Sequence, residues 1–334
     1  MKAIELTAPS LTAFRTTQLP DPQPARGEVV VRLRAASLNF LDIAIATGAI
    51  PGAIFPMVPV ADGAGEVAAM GEGVTSVAVG DRVVPHFMPG WLSGAITPGH
   101  VAGMRGMTLP GSLAEYVAVP AASLVALPPH LDFVQGAALP IAATTAWNAV
   151  RSASVRPGSV VVLLGTGGVS IFALQFAKAS GATVILASSS DDKLERARQL
   201  GADHLINYRA MPAWDEEVLR ITNGRGADLV VETVGAATLP RSLNAAAFGG
   251  TVFTVGFITG AVTSIDMLPV IVKALRIVGN NTGSVADLAQ ATQAIAAHRI
   301  VPAIDRVFGI YETQAAYAEL STGGRHFGKL AIVH

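Results

Sequence analysis

Cysteine is absent from all 334 residues. The chain therefore has no disulfide, no thiolate zinc ribbon and no cysteine nucleophile, and any metal would need histidine or carboxylate ligands. Charge is scarce as well: 14% of residues are Asp, Glu, Lys or Arg, and 23 basic against 24 acidic side chains leave a net charge of −1. So even a balance gives no electrostatic footprint for nucleic acid, and a hydrophobic content of 51% excludes disorder. Long apolar runs are missing too, although the mean hydropathy is +0.49. Each run breaks well short of the ~20 residues a membrane span needs; Val160–Leu164, for example, meets Gly165 at once. The opening Met-Lys-Ala-Ile-Glu has no basic flank, apolar stretch and small-residue cleavage site in succession, so no secretory leader is read and the expected compartment is the cytoplasm. Internal repeats and low-complexity segments are also lacking.

What is present suits two domains, at roughly 150 residues each. The first third is rich in Pro and Gly, with β-type runs at Glu28–Ala36, Gly63–Ala69, Asp81–Val84 and Ala114–Val119. Between Pro85 and Pro110 no period is visible. That stretch reads as a long irregular loop whose Phe87, Met88 and Trp91 favour a wall over a tether. From Val160 onward strands and helices alternate: strands at 160–164, 183–187, 204–208, 229–232, 250–255 and 275–278, helices at 169–180 and 193–200. Such alternation builds a parallel sheet covered by helices on both faces. A helix at 285–298 and two short strands, the last at 329–333, close the chain.

Gly165-Thr166-Gly167-Gly168-Val169-Ser170 follows an apolar strand and opens a helix. In that context Gly165 permits the tight turn and Gly167 a close backbone approach, and the free N–H groups with the helix dipole face a pyrophosphate. Ser170 stands where Gly or Ala is usual and predicts slightly looser helix–strand packing. The alternative is an ordinary glycine turn. The end of the second strand bears on NAD against NADP, because an acid there bonds the ribose 2′-hydroxyl and repels a 2′-phosphate. Here Ser188, Ser189, Ser190, Lys193 and Tyr208 offer hydroxyls and a positive charge, which favours NADP(H) over NAD(H). Asp191 and Asp192 cut against it unless they serve the helix dipole, and the serine run also fits a plain N-cap.

With these segments, Ser37–Gly48, Val60–Gly71, Val79–Val84, Gly111–Val119, Ala138–Ala149 and Leu200–Tyr208 make the chain resemble the medium-chain dehydrogenase/reductase superfamily, in its zinc-lacking, quinone-oxidoreductase-like branch. The resemblance implies an α/β protein: a GroES-like, mostly-β catalytic domain at 1–124 and 281–334, and an inserted Rossmann domain with a doubly wound parallel sheet at 125–280. Zinc alcohol dehydrogenases of this superfamily carry Cys, His-Glu and Cys around a catalytic metal. Asn39, Ala61-Asp62 and Ile141 stand at or near those positions, so no zinc is expected. His86, His100 and His204 show no paired spacing and read as surface or loop residues.

Without a metal to hold an alkoxide, the favoured acceptor spreads charge by conjugation: hydride passes from NADPH to a quinone or an α,β-unsaturated carbonyl. The rivals are an alcohol dehydrogenase or carbonyl reductase of the same fold, and a non-catalytic NADPH-binding protein. The resemblance sets Asn39 and Asp42 facing the nicotinamide, Asn39 as a donor to substrate oxygen or as half of a polar helix start, and Thr145 beside the ring or as a packed hydroxyl. It further implies that Gly256-Phe257-Ile258 and Asn280-Asn281 bond the carboxamide, unless these are only turns, and that Lys329 reaches cofactor phosphate or ribose, unless it is a surface lysine. No proton donor is assigned. The strand at 275–278 lies at the sheet edge in this reading; an uncovered apolar edge is an aggregation hazard, and the resemblance pairs it with its copy in a homodimer.

Overall fold

In the computed structural model, which describes every residue from Met1 to His334, two unforeseen strands open the chain: β1 (Lys2–Leu6) and β2 (Phe14–Gln18), paired antiparallel. β2 reads Phe-Arg-Thr-Thr-Gln and is largely solvated, so its sequence carries no apolar alternation to announce it. The four expected strands all form, as β3 (Glu28–Leu38), β4 (Asp62–Met70), β5 (Arg82–Pro85) and β6 (Tyr116–Pro120), followed by a short β7 (Leu124–Ala126). β3 buries Val29, Val30 and Val31 in succession and alternates only from Val31 to Ala35, where buried Val31, Leu33 and Ala35 flank exposed Arg32 and half-buried Arg34.

The stretch from Pro85 to Pro110 is mostly irregular, with one short helix at Pro98–Ala102. Phe87 and Met88 are fully enclosed and Trp91 is 7% exposed, packed with Met104, Met107, Ile45 and Tyr317 in one core. It is a wall. Burying each aromatic there contributes about 2–3 kcal/mol relative to exposure.

Six parallel strands follow: β8 (Val160–Leu164), β9 (Thr183–Ser188), β10 (His204–Asn207), β11 (Ala227–Glu232), β12 (Ala246–Thr254) and β13 (Arg276–Gly279), in the order β10-β9-β8-β11-β12-β13. The order reverses beside β8, the switch point at whose carboxyl end a doubly wound sheet binds ligands. β12 starts four residues before the expected 250, because Ala246 pairs with Ala227 ahead of the register shift that brings Leu229 opposite Thr251. The helix expected at 193–200 begins at Asp191, where Ser190 caps it by accepting from the Lys193 N–H.

The last strands, β14 (Ile304–Gly309) and β15 (Lys329–Val333), return to the first sheet, where β15 lies antiparallel to β3 and the order runs β14-β15-β3-β4-β5-β7 with β6 paired to β3. Two units result, Met1–Thr144 with Gly283–His334, and Thr145–Thr282. No helix is long and apolar enough to cross a membrane.

Candidate active site and cofactor cradle

In the first unit a charged cluster sits inside the protein at the point where β4 begins. Asp62 is fully enclosed, opposite Ser37 of β3. Its Oδ2 accepts from Asn39 Nδ2 at 2.8 Å and from the Ile141 N–H at 3.4 Å, and faces Lys329 Nζ at 3.8 Å. Lys329, the first residue of β15, is 4% exposed rather than a surface lysine; its ammonium donates to Leu38 O at 2.7 Å and to Asn39 Oδ1. Asn39 thus has both ends of its amide engaged while its backbone opens the helix Phe40–Ala46. Asp42, three residues on, accepts from the Asn39 N–H at 2.7 Å and the Ala61 N–H at 3.1 Å, fastening helix to strand.

Burial pushes the Asp62 carboxyl up to about 7, against the opposing pull of Lys329 and the Asn39 amide. It raises Asp42 as well, and it lowers Lys329 against the attraction of Asp62 and Asp42. Two further ionisable groups complete the surroundings. Arg105, from the wall segment, is 1% exposed, donates to Ser112 Oγ at 3.1 Å, and is brought down to about 10 by burial with Asp62 opposing. Tyr317 is enclosed, and burial and then Asp42 hold its phenol protonated well above the usual range. The sequence reading singled out Asn39, Asp42 and Lys329, which meet here; it named Asp62 only as standing where a zinc ligand would be, and it missed Arg105. A lone carboxylate amid Val60-Ala61-Asp62-Gly63-Ala64 was the available signal, since a charge in a run of small and apolar residues asks for a buried partner.

His86 lies in the irregular stretch after β5, as a loop residue, but it is not on the surface: it is fully enclosed, its Nδ1 accepts from the Met88 N–H at 3.1 Å, and burial lowers it to about 4. His100 and His204 do lie toward solvent.

The second unit holds the glycine turn. Gly165 adopts φ +73°, a left-handed conformation that a side chain strains, and a Cβ at Gly165 or Gly167 would meet nothing within 4 Å. The turn is therefore open above its backbone, and the twelve-residue helix Gly168–Ala179 leads away from Gly167. Thr166 is buried and Val169 half-buried. Ser170 does not loosen the packing as expected: its Oγ donates to Leu164 O at 2.7 Å, pinning the helix to β8. At the end of β9, Ser188 is buried and Ser189 and Ser190 are half-buried. Lys193 follows on the helix, and the Tyr208 N–H donates to Ser188 O at 3.1 Å, which brings Tyr208 alongside the serines. Asp191 accepts from Asn207 Nδ2 at 2.7 Å.

After β11, Glu232 organises the next turn by accepting from Val234 N–H, Gly235 N–H, Thr238 Oγ1 and Ser242 Oγ. Beyond β12, Gly256 lies so close to β11's exit that a Cβ would come within 1.8 Å of Thr233 O, while Phe257 and Ile258 are exposed. Asn280 follows β13 with its Nδ2 buried and unpartnered, Asn281 is exposed, and Thr145 is buried near the start of the helix Thr144–Ser152.

The profile of the alcohol dehydrogenase GroES-like domain matches residues 25–129, and that of the zinc-binding dehydrogenase matches residues 168–297. A zinc-type alcohol dehydrogenase-like protein of Schizosaccharomyces pombe is 40% identical over 314 residues, 92% of this chain and 90% of its own. The chain belongs to the medium-chain dehydrogenase/reductase family. It is an oxidoreductase of that family. A quinone oxidoreductase of Pseudomonas aeruginosa is 34% identical over 307 residues, 91% of this chain and 85% of that one. A solved NAD-dependent alcohol dehydrogenase superposes with a TM-score of 0.91 at 34% identity, covering 100% of both chains.

The family's zinc-binding name raises the question of whether this member's donors suit that ion. No three His, Cys, Asp or Glu side chains converge anywhere in the protein. At the buried cluster two carboxylates face an ammonium, and the amide beside them is engaged by both. Zinc takes three or four converging His, Cys or carboxylate ligands, and two carboxylates already committed to backbone N–H groups, an amide and an ammonium do not fit it. A dinucleotide fits better: an open glycine turn at the start of a helix, and a buried amide donor at Asn280 still lacking an acceptor.

Proposed function

We propose that this medium-chain dehydrogenase/reductase uses NADPH to reduce quinones or α,β-unsaturated carbonyl compounds. The observation that carries the reading is the cluster of Asp62, Asn39 and Lys329, whose fixed cation is an ammonium already shared with a carboxylate and an amide. Such a cluster stabilises a saturated alkoxide weakly; an acceptor whose charge spreads over a conjugated system asks less of it.

The cofactor, when bound, supplies the hydride. Gly165, whose N–H is committed to Ala187 O at 2.7 Å, would make the turn, and Thr166, Gly167, Gly168 and Val169 would hold the pyrophosphate through backbone N–H groups, with the helix Gly168–Ala179 behind them. Ser188, Ser189, Ser190, Lys193 and Tyr208 would take the ribose phosphate. Gly256, Phe257, Ile258, Asn280 and Asn281 would orient the carboxamide, for which the unpartnered Asn280 Nδ2 is a ready donor. Thr145 would flank the ring. Asp42 keeps Asn39 in place, and Asn39 with Lys329 presents the polar end of the site.

The test is a binding titration with NADPH and NADH followed by an acceptor panel. NADPH is expected to bind at least about tenfold more tightly, a difference of about 1.4 kcal/mol, and to be oxidised by enones, enals or quinones and not by saturated aldehydes. Equal affinity for the two nucleotides would overturn the NADPH reading; turnover of saturated aldehydes alone would favour an alcohol dehydrogenase, as the names of the relatives suggest.

The same reading includes a homodimer. β13 is the free edge of the parallel sheet, and the helix Met267–Val272 before it has no buried residue, with Met267, Leu268, Ile271, Val272 and Ile277 all exposed. A second copy would cover that apolar edge by continuing the sheet.

A further inference from the structure

Reduction of a conjugated acceptor needs a proton as well as a hydride, and the groups around Asp62 can be sorted by whether they release one. Asp62 is faced by Lys329 from β15, by Asn39 and Asp42 from the head of the helix Phe40–Ala46, by the Ile141 N–H, and by Arg105 from the wall. Tyr317, on the helix Thr313–Ser321, faces Asp42. Lys329 has two of its three donors committed, to Leu38 O and Asn39 Oδ1. Asp42 is raised by burial as well, but both of its oxygens already accept backbone N–H groups, from Asn39 and Ala61, so neither is left to hand a proton on. Arg105 stays charged and Tyr317 stays protonated throughout the neutral range.

Asp62 differs from all of these. Its Oδ2 is occupied, but its Oδ1 is enclosed with no hydrogen-bond partner. As an anion, that oxygen would be a buried acceptor with nothing to accept, a costly state that protonation relieves.

We propose that Asp62 is the proton reservoir of the reaction: Oδ1 carries the proton that the reduced substrate takes up, while Asn39 and Lys329 position the carboxyl through Oδ2. This rests on the reduction of a conjugated acceptor put forward above. In the step, hydride brings two electrons to one carbon of the acceptor and the conjugated π pair moves onto its oxygen. The O–H bond of Asp62 then breaks, its electron pair stays on Oδ1, and the proton passes directly to the enolate or hydroquinone anion, the partner that Oδ1 otherwise lacks. Solvent reprotonates the carboxylate. Burial, which holds this carboxyl near 7, keeps it loaded at neutral pH.

Two measurements on the full chain test this. Infrared titration of the protein alone is expected to show a carboxylic C=O band that grows as pH falls through about 7 and is missing in Asp62→Asn. With NADPH and an enone, kcat/KM is expected to fall above that pH. Asp62→Asn should lower it about 100-fold and abolish the pH limb, Lys329→Met should move the limb to higher pH by removing the neighbouring cation, and Lys329→Arg should bring it back. A merely structural Asp62 would cost activity and leave the limb in place. If the wild-type enzyme reduces acceptors but no carboxyl titrates between about pH 5 and 9, or if Asp62→Asn keeps the limb, the reservoir is overturned. If the carboxyl titrates but no acceptor is reduced, the fault lies in the proposed reaction instead.

Discussion

Ser170 illustrates how one hydroxyl can alter a motif without spoiling it. Leu164 O, at the end of β8, accepts from Ser170 Oγ at 2.7 Å and from Thr233 Oγ1 at 2.6 Å, so strand, helix and the exit of β11 are joined at one carbonyl. Ser170→Ala removes one bond but leaves the carbonyl satisfied. The expected loss is therefore small, about 0.5–1 kcal/mol, measurable as a lowered urea midpoint with an unchanged slope. Asp62 is the opposite case: its apolar surroundings in the sequence ask for a buried partner but do not say which. Its partner Asn39 is 23 residues away, and Lys329 and Asn39 are separated by 290. The sequence reading could place Asn39 and Lys329 by resemblance, but the carboxylate that links them becomes visible only when β4, β15 and the helix Phe40–Ala46 are packed together.

Among the elements, those with a strong period or clear punctuation were legible. The helix at 285–298 forms at its expected bounds because Ser284 caps its start and Arg299, in a left-handed conformation, ends it. The parallel strands were legible as apolar runs between glycines, and the glycine turn between β8 and its helix as a motif in context. Other elements depend on their neighbours. β2 forms against β1, the helix Leu239–Ala245 carries Pro, Arg, Ser and Asn and is fastened by Ser242 to Glu232, and Met267–Val272 is a short apolar run whose period does not separate helix from strand. This last helix is also where the dimer proposal is most exposed to test. Ile271, 69% exposed, has no packing role within the chain. Ile271→Lys is expected to leave thermal unfolding of a dilute sample nearly unchanged while halving the mass seen by light scattering; a wild-type monomer at all concentrations would overturn the dimer.

For the molecule as a whole, buried ionisable groups set opposing trends with pH. His86, lowered from 6.5 to about 4, gives stability that is present above pH 6.5 and lost as pH falls toward 4. Asp62, raised from 3.8 to about 7, gives stability that is full below 3.8 and lost as pH rises through 7. Across the shared window the two slopes largely cancel. Asp62→Asn removes the second of these slopes, so acidification from pH 6.5 to 4 should cost the variant about 3 kcal/mol more than the wild type, read from urea midpoints over that range. The chain path has a consequence of its own. β15 completes a sheet begun by β3, and residues 145–282 come between them. On the ribosome the parallel sheet can therefore close while the first sheet still waits for its final strand, and Asp62 has no ammonium beside it until Lys329 clears the exit tunnel. The buried carboxylate and the cation that faces it are thus brought together only by the last strand of the chain.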